Sequence, residues 1–134
     1  MRLAINLFIL HLFFISNMFA AELVLNGLPN SSVASSKSGT KREVLKKSNQ
    51  LEYRVMITKE GEQYYWASRG NKKLVYFQSG AIHFFVDPSL AGYITVIASK
   101  YLFEDTAPKY QYKEHIRNIM GNVTYWGGTE SFSP

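Results

Sequence analysis

The chain has 134 residues, a formal net charge of +5 and no cysteine, so it makes one domain at most, with no disulfide staple, no thiolate nucleophile and no cysteine metal ligand. Aromatic residues make up 15% of it, so ring burial must supply the core that cross-links cannot. The basic excess is local: Lys37, Lys41, Arg42, Lys46 and Lys47 face only Glu43 between residues 37 and 47, while residues 49–134 are nearly balanced, which speaks against a nucleic-acid partner.

The chain opens MRLAINLFILHLFFISNMFAAEL. Arg2 is followed by an apolar run from Leu3 to Ile15, broken by Asn6 and His11, and then by the small residues Ala20 and Ala21. This is the layout of a secretory signal peptide, and the run is short of the ~20 apolar residues that span a bilayer. Residues 1–21 read as that peptide, with cleavage after Ala20 or Ala21, and the product as periplasmic or secreted. Residues 22–48 are rich in Ser, Gly, Asn and Lys and contain no aromatic residue. They read as a flexible basic linker, in which KREVLKK (41–47) could form a turn or two of helix. All sixteen aromatic residues beyond the signal peptide lie in 49–134, which marks the folded domain.

That domain reads as all-β. LEYRVMIT (51–58) alternates Leu51, Tyr53, Val55 and Ile57 against Glu52, Arg54, Met56 and Thr58, the period of a half-buried strand. EQYYWAS (62–68), KKLVYFQ (72–78), AIHFFV (81–86) and YITVIA (93–98) follow, separated by KEG, RGN, SG and DPSLAG. Turn signals about every ten residues predict an antiparallel meander of six to eight strands, closed into a small barrel or packed as a sandwich. YQYKEHIRNI (110–119) fits a strand or a helical stripe. The strand is favoured, because Gly121-Asn122 then joins it to VTYWGG (123–128) as a hairpin. ESFSP (130–134) reads as a frayed end.

The stretch GEQYYWASRGNKKLVYFQSG (61–80) concentrates rings around a basic turn. Both faces of its hairpin are largely apolar, so both call for cover, by core on one side and by linker, tail, ligand or partner on the other. Flat rings beside Arg and Asn suit a sugar, which makes Tyr64, Trp66, Arg69 and Asn71, with Tyr125 and Trp126 of YWGG, the candidate ligand-binding residues. The partner classes are an envelope protein or a glycan. Membrane contact is left to the signal peptide and the basic segment, and the oligomeric state stays open.

The competing reading is a small hydrolase or metal-dependent enzyme. His83 and Asp87 share a strand face, and a carboxylate can orient an imidazole, with His115 as a third member. Four strand residues separate the first two by roughly 13 Å, so they meet only if the turn folds back. No metal-ligand spacing, nucleophile elbow or phosphate-binding loop is present, and no cofactor or metal is expected. Asn30-Ser31-Ser32 and Asn122-Val123-Thr124 match the N-glycosylation sequon.

Overall fold

A computed structural model describes residues 20–102 and 108–134. Except for its last two residues, the signal peptide predicted at 1–21 lies outside them. The elements are β1 (Glu22–Ser36), β2 (Gly39–Val44), a short helix α1 (Lys47–Gln50), β3 (Val55–Glu60), β4 (Gln63–Trp66), β5 (Lys72–Ser79), β6 (Ile82–Val86), β7 (Gly92–Ala98), β8 (Tyr110–Asn118) and β9 (Gly121–Thr129). Single 3₁₀ turns at Ala67–Arg69 and Ser99–Tyr101 follow β4 and β7.

Consecutive strands from β3 to β9 pair antiparallel, and β1 closes the ring by pairing with both β3 and β9. The result is an eight-stranded antiparallel barrel, with β2 as a ninth strand on its outside. β1 can serve two neighbours because it is long and bent. Glu22–Gly27 lie beside β3, and Leu28–Ser36 lie beside β9, with register shifts between Leu23 and Leu25 and between Pro29 and Ser31. Such bulges kink a strand and sharpen its twist, which is what turns a sheet into a barrel.

The predicted strands 62–68, 72–78, 81–86, 93–98 and 123–128 all fall on β4 to β7 and β9. Gly70 at φ 69° and Asn71 at φ 56° make the left-handed turn between β4 and β5, as residues of those types allow. The first predicted strand starts late: Leu51 to Tyr53 turn, and β3 begins at Val55. Residues 110–118 are a strand, because Tyr110, Tyr112, Glu114 and Ile116 place one inward side chain every second residue.

Two expectations are corrected. Residues 22–44 are not a linker but β1 and β2, and KREVLKK contains the end of β2 rather than a helix. At Gly27 the lack of a side chain, which reads as disorder, is a packing requirement. A Cβ at Gly27 would stand 2.6 Å from Tyr112 Cζ, and one at Gly127 would stand 2.6 Å from Tyr112 Oη. One ring from β8 thus occupies the space that side chains of β1 and β9 would need. The tail is not frayed either. Phe132 is buried and bridges to Leu25, and Ser133 N–H donates to Val24 O at 3.1 Å.

Inside the barrel, Leu25, Val55, Ile57, Tyr64, Trp66, Leu74, Phe85, Ile94, Val96 and Tyr112 belong to one continuous core. Eight strands leave an interior about wide enough for side chains to fill or for one small ligand. Here Tyr64, Tyr76 and Phe85 pack edge-on and tilted at centroid distances of 5.0–5.3 Å, and the interior is core.

Candidate functional site

Glu114 reaches the barrel interior from β8 and is 0% exposed. Its Oε1 accepts from Trp66 Nε1 at 2.8 Å and from Arg69 Nε at 3.1 Å, and its Oε2 accepts from Arg69 Nη2 at 2.8 Å. Trp66 is inward on β4, and Arg69 follows on the 3₁₀ turn, from which its side chain reaches Glu114. The guanidinium lies over the ring of Tyr125, 5.8 Å from its centroid, and Tyr53 also stacks on that ring at 5.2 Å. Burial pushes the Glu114 carboxyl above its usual range, while the Arg69 guanidinium and the Trp66 N–H pull it back. Both carboxylate oxygens are engaged in fork geometry, so the group holds structure together and is not placed as a base.

The six predicted ligand residues therefore divide. Trp66, Arg69 and Tyr125 come together around Glu114. Tyr64 sits in the core one layer away, against Tyr76 and Phe85. Asn71 is exposed in its turn, and Trp126 points outward, 36% exposed. A sugar-stacking surface built from all six does not exist, because the ring faces of Tyr64, Trp66 and Tyr125 are spent on packing. Only Trp126 offers an exposed indole, at the wall of a groove of about 490 Å³ shared with Val33, Arg42 and Val44. Reasoning from the sequence missed Glu114 as the hub of the cluster.

His83, Asp87 and His115 do not converge. His83 Nδ1 faces Tyr76 Oη at 2.9 Å, and its ring packs edge-on to Phe132 at 4.9 Å. Asp87 accepts from the Ser89 N–H and Oγ, each at 2.8 Å, and lies 3.5 Å from Lys72 Nζ. Burial alone would raise its carboxyl, but the Ser89 hydrogen bonds and Lys72 hold it below the ordinary range. His115 is on the outer face, with Nδ1 2.9 Å from Thr124 Oγ1 and its ring stacked on Tyr93 at 5.1 Å. Among the described residues no group of three His, Cys, Asp or Glu side chains could hold a metal ion. Tyr112 Oη is buried without a hydrogen-bond partner, and burial together with nearby Glu114 drives its pKa far up.

The outer face of β5 and β6 is apolar. Phe77 and Phe84 stack at 4.8 Å with rings 7° apart, and Val75, Phe77 and Ile82 are 53%, 47% and 36% exposed. The tail, one of the expected covers, has gone to the barrel end instead. No protein-family model, curated protein or solved structure matches the chain.

A pH dependence follows from the two histidines. Burial lowers both below the ordinary 6.5, for His115 with help from Lys113 and Arg117. As pH falls below that value the unfolded chain takes up protons that the folded one resists, so stability drops; above it, this contribution is absent. Glu114 has the opposite sign, since its raised pKa lets the folded state bind a proton first. The melting temperature is expected to fall between roughly pH 7.5 and pH 5.5. His83→Gln/His115→Gln, which leaves Glu114 untouched, flattens that slope. An unchanged slope in the double variant refutes the assignment.

Proposed function

We propose that the chain is an exported, non-enzymatic binding module of the cell envelope, and that it docks another envelope protein on the outer face of β5 and β6. The carrying observation is the stacked Phe77–Phe84 pair flanked by exposed Val75 and Ile82. Exposed apolar patches of this kind mark interaction sites. From Val75 to Phe77 on β5 and from Ile82 to Val86 on β6, the outward positions carry no charge, which fits a low-charge apolar counterpart. β6 is hydrogen-bonded on both edges, so the partner meets the face of the sheet. The filled interior and the fully engaged Glu114 favour a surface-based role over a ligand cup or a catalytic pocket.

An environment-sensitive dye is expected to fluoresce on the purified protein. The signal should drop in Val75→Ser/Phe77→Ser, whose circular dichroism stays that of the parent. A photo-crosslinker at position 77 should trap a second envelope protein in the producing cell, and one at position 47 should not. A protein that is monomeric by light scattering, binds no dye and yields no adduct at position 77 rules the reading out.

A further inference from the structure

Closing a sheet into a barrel removes its edges, yet this chain builds one extra strand that restores an edge. β2 is the only strand with a single partner strand among the described residues. All six of its residues are exposed, so it adds almost nothing to the core. Its backbone phase is fixed. Leu45 N–H donates to Asn30 O at 2.9 Å, and antiparallel ladders alternate bonded and non-bonded pairs. The bonded pairs are then Ser32 with Glu43, Ala34 with Lys41 and Ser36 with Gly39. Thr40, Arg42 and Val44 consequently turn their N–H and C=O groups away from β1, and no backbone partner meets them among the described residues.

The charge around this edge is one-sided. Lys37, Lys41, Arg42, Lys46 and Lys47 flank it, and the one acid, Glu43, lies 3.8 Å from Lys41. Pairing with β2 of a second copy would set these cations against one another, and such cross-strand repulsion is how natural edges avoid self-association. We propose that β2 receives an extended acidic peptide segment of a partner protein as a further strand. The hydrogen bonds come from the backbones of Thr40, Arg42 and Val44, and acidic side chains of the guest lie on the Lys41 face of β2. This is strand addition to an exposed edge, with orientation and selectivity supplied by charge. The groove between Val44, Val33 and Trp126 lies on the Arg42 face of β2 and can take an apolar guest side chain. The surface is separate from the β5–β6 face and does not depend on it.

The test titrates isotope-labelled protein with a capped octapeptide of alternating valine and glutamate. Amide shifts and slowed exchange are expected at Thr40, Arg42 and Val44. The same peptide with alternate amides N-methylated keeps every charge but cannot form the ladder, and should bind at least about tenfold more weakly. So should Arg42→Pro against the unmodified peptide, since proline at that outward position deletes a ladder donor and is tolerated on an edge. The lysine counterpart of the peptide should not bind. No binding by the glutamate peptide overturns the proposal. Equal binding of the N-methylated peptide also overturns it, by showing a general anion surface that anionic vesicles would occupy as well.

Discussion

Arg69→Met is expected to destabilise the protein by about 3 kcal/mol, and more than the double variant Arg69→Met/Glu114→Leu does. The two ways of removing the pair are not equivalent. In the single variant a carboxylate with no solvent access loses a bidentate partner and retains the Trp66 N–H alone. Breaking a buried pair from one side costs far more than replacing it whole with apolar groups. Arg69 keeps 27% of its side chain exposed, which places the effect at the lower end of the usual range for such breaks. Equilibrium urea unfolding of parent, singles and double gives the comparison. If the double variant is at least as unstable as Arg69→Met, the two residues are not coupled as the geometry requires.

Phe132→Ala is expected to cost about 3 kcal/mol, although only two described residues follow it. Its ring meets His83 at 4.9 Å, Tyr110 at 5.5 Å and Phe85 at 6.1 Å, each edge-on. It plugs the end of the barrel where β8 starts. Removing it uncovers the core and the His83–Tyr76 hydrogen bond together. Ser133→Ala, which leaves the backbone bond to Val24 intact, should change stability by less than about 0.5 kcal/mol. Thermal melts and amide exchange at Val24 and Leu25 report on both. A Phe132→Ala protein that melts with the parent would return the tail to the frayed state that its sequence suggests.

The contrast shows what can be read from residues in order. β3 to β9 were legible because each carries period-two apolar residues and most end at a glycine or an Asn-Gly-like turn. β1 and β2 were not, because their contribution is backbone pairing and small size, and serine, glycine and lysine carry the same composition in a strand as in a tether. Phe132 was hidden because burial at a chain end depends on where the barrel opening falls. Trp66, Arg69 and Tyr125 read in the sequence as ligand contacts, but what unites them is Glu114. A signal existed: Glu114 shares its strand face with Tyr110, Tyr112 and Ile116, and a carboxylate on an apolar face must find a counter-charge. What no local pattern supplies is that the partner comes from the turn after β4.

The two halves of β1 set an order on the folding reaction. Its seam with β9 places Leu28 opposite Gly128 and Ser36 opposite Gly121, so ring closure waits until nearly the whole chain is available. Such long-range pairing puts the protein among slow folders, on the order of milliseconds to seconds. Without that seam, the strands from β1 through β3 to β9 make an open sheet with two bare margins and unshielded rings. That transient species, rather than the finished barrel, is the one most exposed to aggregation.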